Sequence, residues 1–98
     1  MMTRSDERII MILKETMTDT IRHYNYSIQY WQEESTCINY VKNKWLVSHF
    51  EHGMDHPICW FDRCFDACKF FLLNALPGEQ WLSKREEFVH CVQKEGLS

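Results

Sequence analysis

The sequence predicts an all-α domain, a small four-helix bundle, and three observations support this fold class. Apolar residues recur at steps of three and four along most of the chain. The glycines and prolines lie at breaks between these stripes. The run "SKRE", Ser83 to Glu86, has the form of a helix capping box. The expected helices span residues 6–32, 36–51, 57–75 and 83–95. One domain, 1–98, is expected because 98 residues are too few to form two hydrophobic cores.

The first predicted helix, residues 6–32, carries the most regular apolar stripe. Its members follow one another at helical steps: Ile10, Leu13, Met17, Ile21, Tyr24, Ile28 and Trp31. Such spacing is typical of one face of an amphipathic helix. Ser5 suits the N-cap position, since the acids Asp6 and Glu7 follow it in the first turn, where the helix dipole favours negative charge.

The second predicted helix, residues 36–51, depends on the helical spacing of Ile38, Val41, Trp45 and His49. The β-branched residues near "KWLVSHF" also allow a strand. A helix is favoured because no second strand is visible to pair with it. Gly53 is expected to end this helix.

The third predicted helix, residues 57–75, begins at Pro57, because a proline is tolerated in the first turn of a helix. Apolar side chains cover most of its circumference, so it is expected to be central to the domain or to lie in an interface. The fourth helix, residues 83–95, begins at the capping box of Ser83 and Glu86 and ends before Gly96.

Charge and composition exclude several classes of protein. The net charge is −3 and the chain contains no basic block, which disfavours nucleic-acid binding. Its longest aliphatic runs are far shorter than the about 20 residues that cross a membrane. The five cysteines are odd in number, and three of them lie close together, which favours reduced thiols in a cytoplasmic protein over a disulfide framework.

A metal site is the first alternative to a purely structural reading of residues 49–59. The spacing of His49, His52, His56 and Cys59 would align four zinc ligands on an unbroken helix. Gly53 and Pro57 interrupt such a helix, so the sequence favours a joint between two helices instead. No cofactor is expected.

Catalysis is not expected either. Cys59 would lie in the first turn of the third helix, where a thiol pKa falls. A nucleophile also needs a base, an orienting group and an oxyanion site, and no motif in the sequence supplies them. The glycines form no phosphate-binding loop.

Protein binding is therefore the predicted function. Tyr26 and Tyr30 are expected on the first helix beside Glu33 and Glu34, and aromatic residues edged by charge are typical of protein interfaces. Asp62 and Asp66 form a second candidate surface for the partner. Small acidic proteins of this kind include immunity proteins, antitoxins and phage-encoded inhibitors of host or anti-phage machinery. The expected partner exposes a basic surface, which an acidic one attracts at long range.

A homodimeric structural or regulatory protein is the alternative function. The third predicted helix has more apolar surface than a short chain easily buries. Its outward residues Trp60, Phe70 and Leu73 are the candidate dimer interface.

Overall fold

Among the described residues, four β-strands lie between the first helix and the last two helices. The computed structural model describes residues 1–18 and 25–98. Its elements are α1 (Arg4–Met17), β1 (Tyr26–Ile28), β2 (Ser35–Val41), β3 (Lys44–Glu51), β4 (Met54–Phe61), α2 (Cys64–Ala75) and α3 (Gly78–Lys94). The described part of the chain therefore has an α/β fold, and the predicted all-α four-helix bundle is wrong.

Each predicted helix meets a different correction. The helix over 6–32 ends at Met17; Ile28 lies in β1, and Trp31 lies in the loop after it. Ile21 and Tyr24 lie outside the described residues. The segment 36–51 forms most of β2 and all of β3, whereas 57–75 contains the end of β4 and all of α2. The segment 83–95 is helical up to Lys94, but its helix α3 already begins at Gly78.

Both predicted N-caps are also wrong. Helix α1 is capped by Thr3, whose hydroxyl accepts from the Asp6 N–H at 3.0 Å while the Asp6 carboxylate accepts from the Thr3 N–H at 3.2 Å. This reciprocal pair is a capping box two residues before Ser5. Ser83 and Glu86 lie inside α3, where the N–H groups that a cap would satisfy already have helical partners.

The sheet is mixed, with strand order β1-β2-β3-β4. Strands β2, β3 and β4 form an antiparallel meander, and β1 pairs with β2 in parallel. The meander turns at Lys42–Asn43 and at His52–Gly53, and all four residues have positive φ, between 52° and 71°. Two-residue turns of this kind match the twist of antiparallel strands. Gly53 thus closes a hairpin and ends no helix.

Pro57 lies within β4, an edge strand, and does not begin a helix. The register between β3 and β4 shifts at Val47/Ser48, which marks a β-bulge next to Pro57. A proline has no backbone N–H, so a sheet tolerates it at an edge or a bulge. Both conditions are met here.

The hydrophobic core lies between the three helices and one face of the sheet. Ile28, Ile38 and Val47 lie side by side across β1, β2 and β3 and are buried in this core. Helix α2 is central because it contacts α1, α3 and three strands. The helices contribute fully buried side chains such as Leu13, Phe71, Leu72, Phe88 and Val92. Burial of Ile10, Leu13 and Met17 is as the sequence predicts.

An ion pair joins the start of α1 to the end of α3. The Arg8 guanidinium donates twice to the Glu95 carboxylate, at 2.8 and 2.7 Å. The hydrogen bond from Arg8 lowers the pKa of Glu95 and raises the pKa of Arg8. The pair therefore stabilises the fold above the ordinary pKa of a glutamate, and this contribution is lost as pH falls through the lowered pKa of Glu95.

Replacing Phe71 with alanine is expected to destabilise the protein by about 3–5 kcal/mol, because its ring is fully buried and contacts the edge of Tyr26. Leu73, on the same helix, is 49% exposed. Leu73→Ala is therefore the matched control and should change the free energy of unfolding by less than about 0.5 kcal/mol. Urea denaturation followed by circular dichroism measures both. Equal losses would contradict the described core.

Candidate functional site

The face of the sheet opposite the helices holds the candidate site, and we call it the second face. Side chains alternate along a strand, so the neighbours of Ile38 and Val47 point away from the helices. Pairing places these residues in rows: Ser27, Cys37 and Ser48 across β1, β2 and β3, and Asn39, Leu46 and Trp60 across β2, β3 and β4. The second face is thus polar towards β1 and apolar towards β4.

The loop of residues 29–34 crosses the second face from the end of β1 to the start of β2. The carbonyl of Tyr30 accepts from the Ser27 hydroxyl at 2.6 Å and from the Asn39 amide at 3.4 Å. Within the same segment the Gln32 amide donates to the Ser35 hydroxyl at 3.0 Å. These bonds hold the loop against the strands, and it shields the polar half of the face from water.

Because the loop covers the second face, side chains of β2 and β3 are buried on both faces of the sheet. Cys37 and Ser48 are each 0% exposed, although they point away from the helices. Within the described residues, the hydroxyl oxygen of Ser48 and the Oδ1 oxygen of Asp55 are buried without a hydrogen-bond partner. A buried polar atom without a hydrogen bond lowers the free energy of unfolding, so these two atoms destabilise the sheet locally on this face.

On the loop and on strand β4, four large side chains remain about half exposed, and we call them the aromatic patch. Tyr30 is 54% exposed, Trp31 45%, Ile58 45% and Trp60 44%. Ile58 is the bulge residue that has no partner on β3, and Trp60 follows it two residues later on the same edge strand. The patch therefore combines the crossing loop with the edge strand.

One end of the second face is acidic. Both carboxylate oxygens of Glu33 lie 3.2 Å from the N–H of Gly53, which fastens the loop to the turn between β3 and β4. Glu34 and Glu51 lie close together at the same turn. Lys42 lies in the turn at the far end of β3, so the two ends of the sheet differ in charge.

The predicted partner-binding residues divide between three places. The crossing loop contains three of them, Tyr30, Glu33 and Glu34, so these three can belong to one surface. Tyr26 is half-buried on the helix side, where its hydroxyl donates to the Met17 carbonyl at 3.1 Å. Asp62 pairs with Lys44 at 3.4 Å, and Asp66 pairs with Lys69 on α2 at 3.6 Å. These two aspartates lie away from the loop, so the predicted second surface is separate.

The predicted dimer residues do not lie together. Trp60 is on the second face, whereas Phe70 and Leu73 belong to α2 on the helix side. Phe70 packs against Phe61 with ring centroids 5.3 Å apart, and Leu73 is exposed.

The four predicted metal ligands are spread along one hairpin. His49 and His56 pair across β3 and β4, His52 lies in the turn, and Cys59 pairs with Val47 beyond the bulge. Among the described residues, the group whose ligand atoms lie within 4.8 Å of one another is instead Glu34, Glu51 and His52. These are the side chains that could hold a cation, and they lie on the surface.

The thiols differ in their access to water. Cys37, Cys64 and Cys68 are buried, whereas Cys59 and Cys91 are partly exposed. Burial and the contact with Cys64 raise the pKa of Cys68 well above that of an ordinary thiol. Cys59 lies in strand β4, so its predicted location in the first turn of a helix is wrong.

Sequence reasoning missed Trp31 and Ile58 as surface residues, because it placed Trp31 in a core stripe and left Ile58 unassigned. The signal that could have located them was the pair of turns, "KN" at 42–43 and "HG" at 52–53, ten residues apart. Two-residue turns between segments rich in β-branched and aromatic residues indicate a meander.

Comparison of the chain with protein-family models, with curated proteins and with solved structures found no match. A helix long and apolar enough to cross a membrane is not found in residues 1–18 or 25–98.

Replacing Glu33 with alanine is expected to raise the rate at which iodoacetamide labels Cys37. The change removes the acceptor of the Gly53 N–H and so frees one end of the loop that covers the thiol. Glu34→Ala, at the neighbouring position, is the control and should leave the rate unchanged. Peptide mass spectrometry measures the labelling of each cysteine, with Cys59 as the accessible reference. Equal Cys37 labelling in both variants would show that the loop is held in another way.

Proposed function

We propose that the protein acts by binding another protein through the aromatic patch, without catalysing a reaction. The observation that carries this proposal is the exposure of four large side chains, all about half exposed: Tyr30 and Trp31 on the crossing loop and Ile58 and Trp60 on the edge strand β4. Exposed apolar side chains that occur singly need no explanation, but a contiguous group of them is typical of an interaction site.

The chemistry of these side chains suits a protein partner. Tryptophan and tyrosine bury a large area with few rotatable bonds, and they are enriched among the residues that dominate binding energy. The loop that carries Tyr30 and Trp31 is already held by Ser27, Asn39 and Gly53. A site ordered before binding loses less entropy on association, which favours affinity.

Binding is proposed in preference to catalysis because the groups with reactive chemistry on this face are out of reach. The thiol of Cys37 and the hydroxyl of Ser48 lie beneath the loop and the strands and are fully buried. A catalytic nucleophile must meet its substrate, whereas the side chains that do meet solvent here are mainly apolar.

The charge of the patch supports a partner with a basic surface. Glu33 and Glu34 follow Trp31 on the crossing loop, and with Glu51 they lie at the His52–Gly53 end of the sheet. An acidic rim attracts a basic partner at long range and accelerates association. We infer an inhibitor of the immunity-protein or antitoxin type, or a phage-encoded inhibitor, because such proteins act by occupying a surface of their target.

Trp31→Ala is expected to weaken partner binding by about 2 kcal/mol or more, roughly thirtyfold, because the change removes a large, half-exposed aromatic ring from the patch. The partner is captured from the organism that encodes the chain, identified, purified and titrated by calorimetry. Leu82→Ala is the matched control, since Leu82 is 50% exposed but lies on α3. A partner that binds both variants equally well would refute the patch as its site.

Glu34→Lys is expected to slow association with the partner and to reduce its dependence on salt, because the acidic rim loses a charge and gains an opposite one. Glu86→Lys makes the same change in charge on α3, away from the patch. Stopped-flow association rates at low and high salt compare the two. If Glu86→Lys slows association as much as Glu34→Lys does, the effect comes from net charge, and the acidic rim has no special role.

A further inference from the structure

We propose that Glu34, Glu51 and His52 form a binding site for a divalent transition-metal ion of the zinc type. The three side chains come from two segments of the chain. Glu34 ends the crossing loop, whereas Glu51 ends β3 and His52 begins the turn that follows it. The site does not include the aromatic patch, and its existence does not depend on the proposed binding of a partner.

The ligand atoms of these three residues lie close together. A carboxylate oxygen of Glu34, a carboxylate oxygen of Glu51 and an imidazole nitrogen of His52 are all within 4.8 Å of one another. Two atoms bound to one tetrahedral zinc ion at about 2.0–2.2 Å are separated from each other by about 3.3–3.6 Å. Small rotations of these surface side chains therefore suffice to bring the three atoms onto one ion.

The three side chains lack a compensating cation within the described part of the chain. Two carboxylates at this distance repel each other, and no described lysine or arginine pairs with Glu34 or Glu51. The side chains of Glu34 and His52 also make no hydrogen bond with a described residue. A bound divalent ion would neutralise the two carboxylates and give all three side chains a partner.

A second imidazole lies beside this group. The Nε2 atom of His49 is 3.6 Å from the Oε2 atom of Glu51, which is longer than the about 2.7–3.2 Å of a hydrogen bond. It matches the separation of two atoms bound to one tetrahedral ion. His49 and Glu51 are two residues apart on β3, so their side chains lie on the same face of the strand. His49 can therefore approach the ion as a fourth ligand, in a position that water fills otherwise.

The mixture of ligand types selects the ion. Calcium and magnesium are bound by oxygen atoms, whereas imidazole suits zinc, copper and nickel. The imidazole of His52 thus distinguishes this group from a surface cluster of acids. Carboxylate and imidazole together are a usual ligand set for zinc.

An ion at this site would fasten the crossing loop to the turn between β3 and β4. Both carboxylate oxygens of Glu33 lie 3.2 Å from the N–H of Gly53. Glu34 would bind His52 through the ion, so two consecutive residues of the loop would hold two consecutive residues of the turn. Because the ion binds a site that the folded chain assembles, zinc should stabilise the fold.

His52→Asn supplies the sharpest test, because it removes the imidazole and keeps the turn. His52 has a φ of 53°, and asparagine followed by glycine is favoured in a two-residue turn of this kind. The full chain, without a histidine tag, is titrated with zinc chloride by calorimetry. The wild type should bind one ion, and His52→Asn and Glu34→Gln should each raise the Kd for zinc about tenfold or more.

His56→Asn and Cys59→Ser are the matched controls, since both residues lie on the same hairpin but outside the group. Both should leave the Kd for zinc unchanged. Zinc should also raise the unfolding temperature of the wild type and of the two controls more than that of His52→Asn. A wild type that binds no zinc, or a Kd that rises no more in His52→Asn than in the controls, overturns the proposal. Calcium that binds the wild type as tightly as zinc overturns it as well.

Discussion

The short parallel connection between β1 and β2 is the constraint on which the rest of the structure depends. Parallel strands are usually joined by a crossover of a dozen residues or more, most often a helix. Here the connection is the loop of residues 29–34. Its six residues reach at most about 20 Å. The loop is long enough to run back along the three paired residues of β1, a distance of about 10 Å. It is too short to go around a helix. The loop must therefore lie on the sheet.

The location of the loop explains the burial pattern and the candidate site together. Because the helices cover one face and the loop covers much of the other, β2 and β3 are buried on both sides. The backbone carbonyl of Tyr30 accepts bonds from the strands below it, so its ring and that of Trp31 reach solvent. The loop of residues 29–34 thus buries Cys37 and also carries the exposed rings of Tyr30 and Trp31. The burial of β2 and the proposed binding surface therefore have the same structural cause.

The burial of β2 and β3 on both faces also explains why the sequence pattern did not reveal the strands. A strand with one solvent-exposed face alternates between apolar and polar residues. Strands β2 and β3 are buried at consecutive positions and therefore lack that alternation. Ile38 and Trp45 reach the same side because a hairpin lies between them, not because they are a helical repeat apart. Local pattern sufficed for the burial of Ile10, Leu13 and Met17 and for the helical state of residues 64–75 and 83–94. It could not show that Ile28 and Trp31 continue the helical spacing by coincidence, since contacts distant in sequence determine where these two residues lie.

The order in which the sheet can assemble follows from its connections. Strands β2, β3 and β4 are joined by turns of two residues, so each pairs with its neighbour in the chain at small entropic cost. Strand β1 has to dock in parallel beside a β2 that is already in place, because its loop rests on residues that β2 and β3 supply together. Residues 29–34 are therefore expected to join late on folding and to detach early on local opening. A surface completed last exists in the finished native state and not in partly folded chains, so the proposed binding would be restricted to chains that have folded correctly.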